Sequence, residues 1–320
     1  MTSQNQAISP PETTAPIQPR RTIWTRLLGS GVRRSERALI FLALGPGLLF
    51  YLSFRYYPII QTLILSLTDA QLLKPDFSFV GLENFRLLLT DPAFLKILWN
   101  TTYYALATTI ATVILALILA FIMEPILYGG SLLRLIYFLP TVTSAIAIAT
   151  IWLWLYQPRF GFFNQTLSLF GIKPVPWLNS VEWAMPSLII MAVWGGVGFS
   201  ALIFFAGLKG IPREFSEAAI IDGASPLQAI WFIKLPLLSR PITFVMVTGI
   251  IGSFQVFQQV FLMTKGGPLD ATQVLALHIY QYAFHRLQIG QAAAMSFILF
   301  LVVGLLTILQ VQLQKRDWEL

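Results

Sequence analysis

Cysteine is absent from the 320-residue sequence, histidine occurs only twice, and 11% of the residues are charged. The first absence excludes a disulfide framework and thiolate chemistry, and two histidines leave little material for a metal site. Soluble domains carry about 25% charged residues, so the scarcity of charge excludes a soluble globular protein as the default. Disorder and collagen-like structure are excluded too, because 56% of the residues are hydrophobic and the mean hydropathy is +0.72.

Long apolar stretches hold most of the hydrophobic residues. A membrane-spanning helix needs about 20 mostly apolar residues, and the sequence offers such stretches at 38–68, 99–123, 135–156, 183–208, 241–263 and 289–313. All but the first lack Asp, Glu, Lys, Arg and His, and Trp and Tyr lie near several of the ends, as in an aromatic belt. The sequence therefore predicts an all-α membrane protein with six transmembrane helices, the first of them an uncleaved anchor.

The basic residues are unevenly distributed between the two sides of these stretches. Of the 21 Lys and Arg residues, 13 lie on the side of the N-terminus, 7 lie on the opposite side, and Arg55 lies within the first stretch. The positive-inside rule then places both termini in the cytoplasm. The net charge of +7 is thereby explained as a topology signal, and no nucleic-acid partner is predicted.

The chain divides into three segments by composition. Residues 1–37 form a polar, Pro-rich cytoplasmic tail with a basic juxtamembrane part, which either lies as a helix on anionic membrane lipid or is a plain basic flank. Residues 38–315 form the six-helix domain, and residues 316–320 form a cytoplasmic C-terminal tail. Within the domain, residues 209–240 are the largest polar connection on the inner side.

That inner connection reads KGIPREFSEAAIIDGASPLQAIWFIKLPLLSR. Pro212 suits the first turn of a helix, because its missing N–H has no partner there. Gly223 can take a positive φ and end that helix, and Ser225 before a proline is typical of a helix cap. A second helix is predicted to run to about Lys234 and to stop before Pro236. The pattern thus predicts two short helices joined by a tight glycine turn.

The same connection resembles the EAA loop of permease subunits of binding-protein-dependent ABC importers. That signature is Glu-Ala-Ala, three residues, Gly, nine residues, Ile, one residue and Leu-Pro. Its fixed positions are matched here by Glu217, Ala218, Ala219, Gly223, Ile233, Leu235 and Pro236. The strings VGLENF, AAIIDGAS, LMTKGGP and IYQYAF are similar to the carbohydrate-uptake subfamily, which includes maltose-, glycerol-3-phosphate- and lactose-type permeases. Arg55, within the first apolar stretch, is a departure that we cannot place in the pattern of that family.

The resemblance implies a transport subunit without catalytic residues in a bacterial or archaeal cytoplasmic (inner) membrane. It implies four kinds of partner: a second homologous permease, two ATPase subunits, an extracytoplasmic solute-binding protein and membrane lipid. ATP and Mg would be used by the ATPase subunits, with no cofactor bound by this chain, which also lacks a G-x-x-x-x-G-K-[ST] phosphate loop. The residues implied to couple the chain to the ATPase are Glu217, Ala218, Ala219, Asp222 and Gly223.

Polar and aromatic residues within the fourth and fifth stretches are candidates for a substrate pathway. A sugar site needs hydrogen-bonding groups for hydroxyls and aromatic faces for the ring. Mid-bilayer amides are costly unless they face a cavity or another helix, and positions 252, 255, 256 and 259 would share one helical face. The candidates are Trp194, Gly196, Phe199, Ser253, Gln255 and Gln259. Plain packing between helices is the alternative for all of them.

Two other function classes stand beside the importer. An ion-driven secondary carrier would usually need acidic intramembrane residues, which these stretches lack. A membrane-embedded enzyme would need a cluster of catalytic His, Asp or Glu residues near a membrane face. Glu217 and Asp222 are the only residues that could form part of one. Arg55 either snorkels to the outer interface or selects anions, and His278 with His285 lacks a third ligand for a metal.

Overall fold

Helices make up most of the part of the chain that the computed structural model describes, which is residues 34–74, 76–125 and 129–314. Within those residues there is no β-strand, only two isolated bridges, Thr68–Phe79 and Gln71–Lys74. The all-helical prediction is confirmed to that extent. The polar tail predicted for residues 1–37 falls almost entirely outside the described residues, as does the C-terminal tail at 316–320.

The described residues fall into two compact units, which divide between Ile60 and Gln61. The helix of the first unit comprises α1 (Arg34–Tyr51), a π-helical segment (Leu52–Tyr56) and the start of α2 (Tyr57–Ser66). A run of 28 residues, Leu39–Ser66, is long and apolar enough to cross a membrane. Arg55 lies in the π-helical segment with an exposed side chain.

The second unit contains the remaining helices. They are α3 (Glu83–Thr90), α4 (Pro92–Met123), α5 (Gly130–Val142), α6 (Ala145–Leu155), α7 (Phe162–Leu169), α8 (Ala184–Lys209), α9 (Arg213–Ile221), α10 (Pro226–Ala229), α11 (Leu235–Leu237), α12 (Ser239–Phe254), α13 (Gln258–Met263), α14 (Leu275–Tyr280) and α15 (Ile289–Gln314). π-Helical segments occur at Ile230–Lys234, between α10 and α11, and at Gln281–His285, after α14.

Four helices among the described residues satisfy the length and hydropathy of a span, and six do so if each of two bent pairs counts as one. The predicted third span, 135–156, is not one straight helix, because α5 and α6 meet at 99°. The bend follows Thr143, whose extended backbone ends α5 and whose hydroxyl donates to the Leu139 carbonyl instead of continuing the helix.

The predicted fifth span, 241–263, is also interrupted. Helix α12 ends at Phe254. Its last turn is closed by hydrogen bonds between residues three apart, from Gln255 N to Gly252 O and from Val256 N to Ser253 O. The chain resumes helix only at Gln258. At its N-terminal end, α12 follows the helical segment Pro226–Leu237, and the two meet at an angle of 66°.

Helices α4, α8 and α12 pack together through small and medium apolar side chains. Their shared core consists of Val113, Ala116, Ala120, Met123, Ala201, Phe204, Leu208, Leu238 and Val245. Close approach is needed at Gly198 of α8, where a Cβ atom would overlap the carbonyl oxygen of Tyr137 in α5. Small residues at helix crossings let backbones meet at van der Waals distance, which is the main source of helix association in lipid.

The connection between α8 and α12 forms the predicted helix–turn–helix hairpin. Gly223 has φ +75° at the end of α9, and Ser225 forms a capping box with Gln228, in which each side chain bonds the other residue's backbone N–H. The prediction that the second helix stops before Pro236 was wrong, since α11 contains that proline. The preceding π-helical segment widens the turn, which shifts the hydrogen bonds that a proline interrupts.

We expect Gly198→Ala to destabilise the packing of α8 against α5 by about 1–3 kcal/mol, the usual cost of overpacking. Gly195→Ala in the same helix is the matched control, because a Cβ atom there meets nothing within 4 Å and alanine favours helix. Thermal unfolding of both variants in detergent tests this. Equal midpoints for the two variants would contradict the close approach at Gly198.

Candidate functional site

A cavity of about 360 Å³ lies between α4, α8 and α12. It is positioned near the middle of these helices, since Thr108 lies halfway along α4 and Gly196 halfway along α8. Its lining consists of Tyr104, Thr108, Thr109, Thr112, Thr141, Ala192, Gly196, Phe199, Ser200, Val245, Thr248, Gly249, Gly252, Ser253, Val256 and Gln259. The volume is at the lower end of the range for small-molecule pockets, about 300–1,000 Å³.

The lining combines apolar surface with hydroxyl and amide groups and carries no charged side chain. Its polar side chains are the hydroxyls of threonine, serine and one tyrosine, together with the Gln259 amide. The Tyr104 hydroxyl donates to Gln259 Oε1 at 3.4 Å across the cavity wall. The buried Thr109 hydroxyl has no hydrogen-bond partner among the described residues. A buried hydroxyl without a partner is costly, so Thr109 leaves an unmet hydrogen-bonding group at the cavity wall.

Four of the six candidate pathway residues line this cavity: Gly196, Phe199, Ser253 and Gln259. Trp194 does not, since its ring packs edge-on against Trp152 with centroids 5.6 Å apart.

Gln255 also lies outside the lining and is exposed. The prediction that position 255 shares a helical face with positions 252, 256 and 259 does not hold, because α12 ends at Phe254. Val256 and Gln259 reach the cavity across the interruption, whereas Gln255 points elsewhere.

The largest contribution that sequence reasoning missed comes from α4. Tyr104, Thr108 and Thr112 recur every fourth residue and therefore share one face of the helix. Hydroxyl residues at helical spacing inside an otherwise apolar stretch were the available signal. Thr141 of α5 and Thr248 of α12 were missed as well, and single threonines in those stretches carried no comparable pattern.

The hairpin between α8 and α12 presents an exposed surface. Of the five candidate coupling residues, Glu217, Ala218, Asp222 and Gly223 are exposed, and Ala219 is 4% exposed, packed inside the chain. Glu217 makes no ion pair within the described part of the chain.

Apolar side chains border that surface. Ile220 is 73% exposed and Ile221 is 85% exposed, and Leu227 across the glycine turn is exposed too. A contiguous exposed apolar patch bordered by charge is typical of a protein-binding surface.

A second, smaller pocket of about 220 Å³ lies beside α14 and includes His278, Asp91, Asp270 and Arg286. Burial, and next the positive charge of Arg286, lowers the pKa of His278 to about 4, so this ring is neutral at pH 7. No group of three metal-ligating side chains occurs among the residues described.

Comparison with known proteins identifies the family of this chain. A family model described as "Binding-protein-dependent transport system inner membrane component" matches residues 112–317. The multiple sugar-binding transport system permease protein MsmF of Streptococcus mutans is 32% identical over 274 residues, which cover 84% of this chain and 92% of the relative. The sn-glycerol-3-phosphate transport system permease protein UgpA of Escherichia coli O6:K15:H31 is 31% identical over 276 residues, covering 86% and 93%.

The fold is also found in a solved structure. A chain of a bacterial ABC transporter involved in the import of the acidic polysaccharide alginate superposes with a TM-score of 0.78, at 21% identity, covering 89% of this chain and 98% of that one. The family model covers more than half of the sequence, and the relatives match along most of their length. The chain therefore belongs to the binding-protein-dependent transport system inner membrane component family and is a permease subunit of an ATP-binding-cassette importer.

Proposed function

We propose that this permease subunit moves a neutral sugar or sugar alcohol into the cytoplasm through the cavity between α4, α8 and α12. The observation that carries the proposal is the lining of that cavity, which lies midway along α4 and α8 and offers hydroxyls, one amide and the Phe199 ring. Hydroxyls and amides exchange hydrogen bonds with sugar hydroxyls, and an aromatic face packs against the C–H surface of a sugar ring.

The absence of charge from the lining separates neutral from anionic solutes. A phosphate or carboxylate is normally bound by Arg or Lys, and none of the sixteen lining residues is charged. The similar proteins differ in this respect, because one is named for multiple sugars, one for glycerol-3-phosphate and one for an acidic polysaccharide. The lining favours the first of these chemistries, and an organophosphate is disfavoured.

For the topology, we propose six spans, with α5 and α6 together forming the third, α12 beginning the fifth, and both termini in the cytoplasm. The excess of basic residues on one side supports this orientation. The hairpin within residues 209–240 then lies in the cytoplasm, residues 38–315 form the transport domain, and residues 1–37 and 316–320 are cytoplasmic tails.

For the partners, we propose two ATPase subunits that use ATP and Mg, a second homologous permease and an extracytoplasmic solute-binding protein. The exposed surface of α9 and the glycine turn supports the ATPase contact: Glu217 and Asp222 supply charge, and Ile220 and Ile221 supply apolar area. Ala219 contributes by packing the hairpin, since it is buried. The family is named for its dependence on a binding protein, which disfavours the secondary carrier.

Reconstitution in proteoliposomes tests the importer mechanism. Uptake of neutral sugars by the purified complex is expected only with ATP inside the vesicles and binding protein outside. Glycerol-3-phosphate at the same concentration is expected to compete poorly. Uptake by this chain alone, driven by a proton or sodium gradient, would contradict the proposal.

Glu217→Lys is expected to weaken ATPase docking, because it reverses the charge of an exposed hairpin residue that has no ion pair in the described part of the chain. The measurement is the amount of ATPase subunit that co-purifies with the permease. Glu182→Lys, the same charge change at an exposed residue outside the hairpin, is the matched control. Unchanged co-purification and transport in the Glu217 variant would count against the docking role.

The absence of cysteine allows a direct test of the cavity. A cationic methanethiosulfonate reagent attached to Ser253→Cys is expected to abolish uptake, because it places a charge in the uncharged lining. The control is Gln255→Cys, two residues away, exposed and outside the lining, where labelling leaves most uptake intact. If both labelled variants transport equally well, the solute does not pass through this cavity.

A further inference from the structure

One residue, Glu124, joins the ends of α4 and α8 to the π-helical segment that precedes α11 and α12. It follows the last residue of α4, and its backbone N–H donates to the Ala120 carbonyl. Its carboxylate accepts two hydrogen bonds from Lys234 Nζ, at 2.8 Å to Oε1 and 2.7 Å to Oε2. Its backbone carbonyl accepts from Lys209 Nζ, at the end of α8, at 3.1 Å. Lys234 itself precedes α11 and α12 in the chain.

The position of this carboxylate needs an explanation. An acid at the C-terminal end of a helix lies at the negative end of the helix dipole, where it is unfavourable by itself. Glu124 is tolerated because Lys234 neutralises it, and the pair is sheltered, with side-chain exposures of 24% and 18%. The other ion pair in the described part of the chain, Glu83–Arg86, is an exposed contact within one helix, of the kind that contributes little.

The joint lies between the hairpin and the cavity. Lys234 ends the π-helical segment of the hairpin's second arm, so a displacement of that arm reaches Glu124 through two charge-assisted hydrogen bonds. From Glu124 to Thr112, the nearest cavity residue of α4, the helix runs 12 residues, or about 18 Å at 1.5 Å per residue. Helix α4 is unbroken over that distance and can therefore move as a rigid rod.

We infer that the Glu124–Lys234 ion pair is the positioning contact that carries movement of the hairpin to α4, with the Lys209 hydrogen bond joining α8 to the same point. Covalent continuity moves α12 with the hairpin, and this joint adds a directional polar connection to α4 beside the apolar contacts that α4 makes with α8 and α12. The inference rests on the proposed coupling role of the hairpin. Loss of the joint would leave ATPase docking intact and reduce the solute moved per ATP.

The test measures uptake and ATP hydrolysis in the same proteoliposomes. Glu124→Gln and Lys234→Met are each expected to raise the ATP hydrolysed per solute by about fivefold or more, the scale of ordinary coupling between sites. The ATPase subunits still co-purify with both. The double variant is expected to be no worse than either single one, because both changes remove the same contact, and the exchange Glu124→Lys with Lys234→Glu recovers part of the coupling.

Glu83→Gln, which removes the carboxylate of the exposed ion pair, is the matched control and is expected to leave the ratio unchanged. The inference is overturned if the ratio stays native in the single variants, or if the two effects multiply in the double variant. It is also overturned if uptake and hydrolysis fall by the same factor, since that indicates only less folded complex. Failure of Glu217→Lys to weaken co-purification would instead overturn the docking role of the hairpin, a separate readout.

Discussion

A hydrocarbon interior provides no water to hydrogen-bond with a buried polar group, and the arrangement of the apolar helices depends on that constraint. Several threonines in these helices bond the carbonyl one turn back, as Thr102 does with Leu98 and Thr150 with Ile146, at 2.8 and 2.9 Å. Thr109 does not, and it lines the cavity. The Thr109 hydroxyl thus lies at the wall of the cavity proposed to hold the solute.

The same constraint keeps charge out of the interiors of α4, α8 and α12 and concentrates it at their ends. At the end of α4, Glu124 and Lys234 neutralise each other in a partly sheltered site, and Lys209 satisfies a carbonyl that the end of the helix leaves without a partner. Uncharged hydroxyls therefore lie in the middle of the helices, and paired charges lie at their ends. In the proposed mechanism, the middle holds a neutral solute and the ends transmit movement from an ATPase partner.

Local rules account for the parts of the fold that the sequence predicted well. Uninterrupted apolar stretches placed α4, α8 and α15, because length and hydropathy act within one helix. The positive φ of Gly223 and the capping box at Ser225 were predictable, since a turn or a cap is decided by residues two or three positions apart. The bend after Thr143 was not predicted, because hydropathy carries no information about helix direction.

The sequence determined where the apolar helices lie, that their interiors carry almost no charge, and that the hairpin resembles a coupling loop. Only the tertiary structure decided which polar residues meet. Tyr104 bonds Gln259, 155 residues away, and Glu124 pairs with Lys234, 110 residues away. Periodicity identifies the face of a helix but not the neighbour of that face, because helix crossings depend on close contacts such as the one at Gly198.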